Sequence, residues 1–316
     1  MRAIGLTEYG GPEVLRLLDI SEPTPGPREV RIRVHAAAIT PSDTLIRSGA
    51  LAHRIVEEGV EPPYVPGWDV AGVIESLGSG TDGRLAVGDD VVAFVLPIHQ
   101  NKGSYADLIV RPAASVVRAP RDVSAFEAST LIVNGVTAHL ALQMLALEPG
   151  QTVVVTGAAG SYGGFVVQLA VQQGLTVVAD ASPADVDLVR NLGAHVIVAR
   201  GVDIAAHVRA VLPQGAAGLV DAALQDALVL GAVSDGGRVV SSRGWAGPAL
   251  RGIEVMPVSA PPSAQDTALL TSLVALADAG VLSLRVADVY PAEAAAEAHR
   301  RLEAGGARGR LVLDFG

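Results

Sequence analysis

The chain contains no cysteine. Disulfides, thiolate nucleophiles, cysteine-ligated zinc and iron–sulfur clusters are therefore excluded, and cysteine usage says nothing about redox compartment. It has a single lysine, Lys102. A short-chain dehydrogenase needs a Tyr-x-x-x-Lys dyad, in which the lysine lowers the tyrosine pKa. Ile98 stands four residues before Lys102, so that mechanism fails. Lys/Arg clusters are missing, and the formal net charge is −10. Phosphate backbones and anionic membranes would repel such a chain, so neither nucleic acid nor membrane is expected as a partner.

Other signals are missing as well. No run reaches the roughly 18 apolar residues of a membrane helix. Met1–Tyr9 lacks the basic segment and apolar core of a signal peptide, which makes the cytoplasm the expected location. No Gly-x-Ser-x-Gly elbow occurs at a strand end, which argues against a serine hydrolase. The seven histidines, His35, His53, His99, His139, His195, His207 and His299, form no His-x-x-x-His or similar ligand pair. No metal, zinc included, is expected, and Lewis-acid catalysis is disfavoured.

What remains is an aliphatic, glycine-rich chain. Of 316 residues, 50% are apolar, 18% charged and only 3% aromatic. That length and apolarity support a sizeable core in two ordinary domains or one large α/β domain. The mix suits α/β layers, whose buried parallel strands read as continuous aliphatic runs.

The first third reads as β-rich. In Val30–Ala38, Arg31 and Arg33 alternate with Ile32 and Val34, the signal of a half-buried strand. Val70–Ser76 and Val91–Val95 are further strands, and Pro23–Pro27 and Pro62–Gly67 are turns. The texture changes near residue 123. Ser124 and Glu127 have the spacing of a capping box. Strands are then predicted at Thr152–Thr156, Thr176–Ala179, Val196–Val198, Leu219–Asp221 and Arg238–Ser241. Helices are predicted between them at Gly164–Gln173, Pro183–Leu192 and Ile204–Val211. This alternation argues for a parallel, doubly wound sheet. Helix Thr267–Ala279, strand Val286–Val289, helix Glu293–Glu303 and strand Gly309–Phe315 close the chain and are expected to pack back on the first domain.

The strongest motif is Thr152-Val-Val-Val-Thr156 running into Gly157, Ala158, Ala159, Gly160, Ser161, Tyr162 and Gly163. Gly157 allows a tight turn, Gly160 a close approach of backbone to a pyrophosphate, and Gly163 close packing of helix on sheet. The spacing is G-x-x-G-x-x-G rather than G-x-G-x-x-G, so a ligand-free turn is the competing reading. Asp180 stands about 20 residues further on, where an acid accepts the adenosine ribose hydroxyls and repels a 2′-phosphate. No Lys or Arg precedes Arg190 there, which favours NADH over NADPH. The bland alternative makes Asp180 a solvated helix N-cap.

A resemblance now becomes visible. Met1-Arg-Ala-Ile4, Tyr9-Gly-Gly-Pro-Glu-Val-Leu15, Pro66-Gly-Trp-Asp-Val-Ala-Gly-Val73, Val87-Gly-Asp89 and Gly103-Ser-Tyr-Ala106 resemble zinc-free quinone oxidoreductases and related enoyl reductases. These belong to the medium-chain dehydrogenase/reductase superfamily. Gly135-Val-Thr-Ala138, Pro149-Gly150, Gly157–Gly163, Leu192-Gly-Ala194 and Arg308-Gly-Arg-Leu-Val-Leu313 continue the match in order along the whole chain.

The resemblance implies an α/β architecture. A GroES-like β-rich catalytic domain (1–122 and 263–316) would surround a Rossmann dinucleotide-binding domain (123–262). It implies NAD(P)H as cofactor, and a hydride transferred to a quinone or α,β-unsaturated carbonyl. By position, Asn134 and Thr137 fall on the nicotinamide side, Ser182 falls by the adenosine ribose, and Ser241, Ser242 and Arg243 border the dinucleotide. It also suggests that the strand in Ile253–Val258 pairs across a homodimer axis.

The departures are informative. Zinc dehydrogenases carry Gly-His-Glu where this chain has Gly67-Trp68-Asp69, and Thr40-Pro-Ser-Asp43 replaces Asn-Pro-x-Asp. Tyr162 stands where valine is usual. It is open whether Tyr162 shapes the nicotinamide pocket or is a packing variant. Without a metal, direct hydride transfer needs orientation and a polarising donor. Thr40, Tyr64 and Lys102 are the candidate donors, with Asp43 fixing the cleft. The competing function is a nicotinamide-nucleotide-binding sensor or structural protein with little catalysis.

Overall fold

The computed structural model describes residues 1–99 and 102–316. They form two units, one of Met1–Val133, Pro261–Asp278 and Leu284–Gly316, the other of Asn134–Ala260 and Ala279–Ser283. The first joint thus lies at 133/134 rather than at the expected 122/123, because the helix after Ser124 packs on strands of the first unit.

In chain order the elements begin with β1 (Arg2–Gly5), β2 (Arg16–Asp19), β3 (Glu29–Ala38), α1 (Pro41–Arg47) and α2 (Ala52–Glu57). Then come β4 (Asp69–Leu77), β5 (Asp90–Phe94), β6 (Leu108–Pro112), β7 (Val116–Arg118), α3 (Ala125–Ala128) and α4 (Ile132–Leu145). The second unit continues with β8 (Thr152–Thr156), α5 (Ser161–Gln172), β9 (Thr176–Ala181), α6 (Val186–Asn191), β10 (Val196–Ala199), α7 (Ile204–Val211), β11 (Ala216–Asp221), β12 (Val233–Ser241) and β13 (Glu254–Pro257). The tail supplies α8 (Thr267–Asp278), β14 (Val286–Pro291), α9 (Ala295–Glu303) and β15 (Arg310–Asp314).

In the first unit β3 is the spine. Val30, Ile32 and Val34 are buried and face the core, as their alternation with arginines requires. Ala36, Ala37 and Ala38 are all buried, and Ala36 and Ala38 are small enough to pack under Ala125 and Phe126 of α3. β3 pairs antiparallel with β4, β6 and β15, and β15 pairs in parallel with β14. The tail therefore completes the first unit's sheet, with Leu311 and Leu313 in its core.

The second unit is a six-stranded parallel sheet in the order β10-β9-β8-β11-β12-β13. From β8 the chain steps outward to β9 and β10, then returns to β11 on the other side of β8. That reversal is the topological switch point at which doubly wound sheets bind ligands, beyond the carboxyl ends of their strands. The aliphatic runs follow from burial on both faces. Val153, Val154 and Val155 of β8 are fully buried, as is Val177 of β9.

Several elements escaped the sequence pattern. The β1–β2 hairpin, β6, β7, α1 and α2 are too short for periodicity to show. Helix α5 starts at Ser161 rather than Gly164, because Gly160 serves as its N-cap and two glycines follow inside the first turn. The expected helix Pro183–Leu192 is a 3₁₀ turn at Pro183–Asp185 followed by α6. The expectation about membrane-length stretches also needs correction. Ala125–Leu145 is long and apolar enough to cross a membrane by length and composition, and 61% of its most apolar window is buried inside the protein. An α-helix apolar on all sides is what a core position demands too.

Candidate functional site

The second unit gathers most of the predicted cofactor residues along one sheet edge. Gly157 closes the turn after β8 with φ +66, in the left-handed region. A Cβ at Gly163 would lie 2.3 Å from the Gly157 carbonyl oxygen, so strand turn and helix touch backbone to backbone. The N-cap of α5 is Gly160, which provides no side-chain cap. Its first-turn N–H groups have no intrahelical acceptors and form an anion-binding end. Ala159 is buried within the same turn. Two hydroxyls there are shielded: Ser161 Oγ makes no hydrogen bond among the described residues, and the Tyr162 hydroxyl is buried against that of Ser242.

Asp180 lies inside β9 and is 3% exposed, so it is not a solvated helix cap. Its Oδ1 accepts the Ala158 N–H at 3.2 Å, which sets the carboxylate directly against the glycine turn. Burial pushes its pKa up, while the N–H groups of Ala158 and Gly157 and the charge of Arg200 pull it back. Arg200 lies twenty residues beyond Asp180, past the segment up to Arg190 that carries no base. Parallel pairing of β10 with β9 brings it near, and its N–H donates to the Ala181 carbonyl at 3.1 Å. Ser182 follows β9 and donates to Asp185 at 2.5 Å.

Across the switch point, Thr156, Asp221 and Ser241 end β8, β11 and β12 in register. Thr156 Oγ1 donates to Asp221 Oδ1 at 2.7 Å, and Asp221 also accepts the N–H groups of Ala223 and Asp226 at 3.2 and 2.8 Å. Ser241 is buried and donates to the Trp245 carbonyl, and Ser242 donates to the Asp221 carbonyl at 3.3 Å. Arg243 is exposed and has φ +56. Asn134 and Thr137 are half-buried and share one face of α4, three residues apart.

In the first unit, the residues expected to meet the acceptor are largely occupied. Thr40 caps α1, and Asp43 completes a capping box. Asp43 Oδ2 accepts the Thr40 N–H at 2.6 Å and the Thr40 hydroxyl at 2.9 Å, and Oδ1 accepts the Gly67 N–H at 2.7 Å. The Thr40 hydroxyl therefore has no proton for an acceptor while the box stands. Burial lifts the Asp43 pKa to about 6 against these donors and Arg310. Tyr64 is half-buried, and its ring stacks on Tyr9 with centroids 5.2 Å apart and planes 2° from parallel. Lys102 Nζ donates to the Pro63 carbonyl at 2.5 Å, and burial lowers its pKa. Lys102 also lines a hollow of about 200 Å³ with Val65 and Ile109.

A buried network that the sequence reading missed runs beneath these residues. Asp69, fully buried, accepts Arg310 Nη2 at 2.9 Å and the Val133 N–H at 2.8 Å. Arg310 also donates to the carbonyls of Ile39 and Ala38 at 3.0 and 3.3 Å. The Tyr105 hydroxyl lies 3.3 Å from His299 Nε2. Burial, helped by the charge of Arg47, drops the His299 pKa to about 3, so the ring is neutral.

Human quinone oxidoreductase is 31% identical over 99% of this chain and 97% of its own length. The chain belongs to the quinone oxidoreductase family. Its residues 26–121 match the alcohol dehydrogenase GroES-like domain, and residues 173–313 match the zinc-binding dehydrogenase domain. Among solved structures, an NAD-dependent alcohol dehydrogenase is similar with a TM-score of 0.89 and 29% identity, covering 100% of both chains. A mycobacterial protein crystallised with NADPH is similar with a TM-score of 0.85 and 27% identity, covering 99% of this chain and 100% of that one. This is an oxidoreductase of the medium-chain dehydrogenase/reductase superfamily, with a GroES-like and a Rossmann-like part.

The second matching domain carries zinc in its description, and this family member does not fit the metal. Trp68 offers no ligand atom, and both Asp69 oxygens are held by Arg310 and Val133. Cysteine is absent from the sequence, and no three His, Asp or Glu side chains converge among the described residues. The residues present are compatible with a nicotinamide dinucleotide: the α5 N-terminus beside Ser161 would take its pyrophosphate and Asp180 its ribose.

Proposed function

We propose that this protein is a zinc-independent NAD(P)H-dependent reductase of quinones or α,β-unsaturated carbonyls. The observation that carries the reading is the uncapped N-terminus of α5 at the switch point, with Asp180 against the same turn. When bound, the dihydronicotinamide supplies the hydride. The chain's own residues do the rest by position. Gly157, Ala159 and Gly160 let the backbone close on the pyrophosphate, and the first N–H groups of α5 with Ser161 Oγ receive its charge. Asp180 accepts ribose hydroxyls and disfavours a 2′-phosphate, so NADH is preferred. Arg200 offsets part of that charge and keeps the preference modest. Electron-poor acceptors suit such a site, because they need less polarisation than a simple ketone.

A second reading has one observation in its favour. Thr40 and Asp43 are spent on each other, which fits a nucleotide-binding sensor with little catalysis. Oxidation of NADH and NADPH by the purified protein, against a panel of quinones and enones, separates the two. Turnover with NADH preferred supports the reductase and the role of Asp180. Preferred turnover with NADPH keeps the reductase and removes that role. Tight binding without turnover leaves the sensor. We further propose a homodimer through the outer edge of β13, the last strand of the parallel sheet. A monomeric mass in light scattering would reject it.

A further inference from the structure

Every long cationic side chain in this protein is arginine except one. Arginine does not lose its proton, so Lys102 is the single side-chain amine that can act as a nucleophile. Its backbone has φ +58, a left-handed conformation that an L residue seldom takes. Neighbouring contacts hold it there. The Lys102 N–H donates to the His99 carbonyl at 3.0 Å, and its carbonyl accepts Arg111 Nη2. The next N–H, of Gly103, donates to the Val65 carbonyl at 2.8 Å. A Cβ at Gly103 would lie 2.0 Å from the Pro66 carbonyl oxygen, so the two segments pack backbone to backbone.

Lys102 lines a hollow of about 200 Å³ whose apolar walls include Ile20, Val65, Leu108 and Ile109. Its Nζ donates to the Pro63 carbonyl at 2.5 Å and pairs with no carboxylate among the described residues. Met1 lies in the same hollow, but its amine donates to Asp19 Oδ1 at 3.1 Å and the Ile20 carbonyl at 2.8 Å. Burial lowers the pKa of the lysine with no carboxylate opposing it. An amine in such a setting is neutral more of the time, and its lone pair is then available. A dry cavity of about 150 Å³ takes a benzene-sized guest, so this hollow has room for a chain of about six carbons.

We propose that Lys102 is a covalent capture site for aliphatic aldehydes, whose chain fills the hollow while the carbonyl carbon meets Nζ. The neutral amine forms an N–C bond, and the C=O π pair moves to oxygen, which takes a proton given up by the nitrogen. Loss of water from that carbinolamine leaves a C=N bond. Nothing is oxidised or reduced, and water reverses the step. The site is independent of the dinucleotide reading above.

The test exposes the full chain, without nicotinamide cofactor, to hexanal or acetaldehyde with sodium cyanoborohydride at neutral pH. The borohydride reduces the imine to a stable secondary amine, and peptide mass mapping places it at Lys102 or Met1. Lys102 should be labelled ahead of the Met1 amine, reversing the order set by ordinary pKa values of about 10.4 and about 8. Hexanal should outpace acetaldehyde at Lys102 by about tenfold, since burial of two of its extra methylenes suffices for that ratio. In urea that preference should vanish. Lys102→Arg keeps the charge and a donor for Pro63 yet forms no imine, and it should lose this label with its melting curve unchanged. Labelling confined to Met1, equal rates with both aldehydes at Lys102, or a hexanal preference that survives unfolding would each overturn the proposal. The wild-type aldehyde ratio decides even if the arginine variant does not fold.

Discussion

Replacing Arg310 by methionine tests what holds the first unit together. Arg310 is 5% exposed and Asp69 is fully buried, and their contact measures 2.9 Å. Methionine keeps much of the aliphatic volume but removes the charge and the hydrogen bonds to Asp69, Ile39 and Ala38. Asp69 would keep only the Val133 N–H. Breaking a buried pair from one side costs about 3–5 kcal/mol, because the remaining charge has neither water nor partner. That is a large share of a typical folding free energy of about 5–15 kcal/mol. Urea denaturation followed by tryptophan fluorescence reads it out. Trp68 adjoins Asp69 in sequence, and a Trp245→Phe background leaves it as the sole reporter. The loss should be smaller at low pH, where the stranded carboxylate takes a proton, a direction that burial already favours. Adding Asp69→Asn should recover part of it. A loss below about 1 kcal/mol, or a double variant that loses the sum of both singles, would refute the reasoning.

Two further outcomes follow from single contacts. Gly163→Ala places a Cβ 2.3 Å from the Gly157 carbonyl oxygen; that oxygen is backbone and a Cβ has no rotamer, so no side-chain rotation relieves the clash. A cost of about 1–3 kcal/mol and loss of dinucleotide binding are expected, by melting and calorimetry, and wild-type affinity would refute the turn's role. His299 titrates at about 3 when folded against 6.5 for the free side chain, so its contribution is present above 6.5 and is lost as the pH falls towards 3. Asp43, raised to about 6, acts in the opposite direction over part of that range, so the comparison must be between variants rather than along one curve. His299→Gln should gain roughly 2–3 kcal/mol relative to wild type on passing from about pH 7.5 to about pH 4.5. A difference that does not vary with pH would remove His299 from the account.

What could be read from the sequence alone was whatever short-range physics decides. The turn Gly157–Gly163 was legible because a left-handed φ at Gly157 and a 2.3 Å approach at Gly163 admit only glycine. The Ser124–Glu127 box was legible because both partners lie within one helical turn. Strands β8, β9 and β11 were legible because burial on both faces leaves a short aliphatic run, whereas the polar start of β12 around Ser234–Gly237 left only its Arg238–Ser241 end visible. The absence of cysteine removed thiolate chemistry before any coordinates were needed.

The fate of the polar groups was settled only by tertiary structure. Arg310 meets Asp69 across 241 residues, Tyr105 meets His299 across 194, and Asp43 reaches the Gly67 N–H across 24. Nothing in local spacing encodes those pairings. The sequence nominated Thr40 as a donor to substrate, and the fold spends its hydroxyl on Asp43. It showed no base beside Asp180, and parallel pairing of β10 with β9 delivers Arg200. Composition and periodicity determine which segments are buried and in what form. Whether a buried hydroxyl or carboxylate is left for a ligand depends on which distant partner claims it first, and only the packed chain decides that.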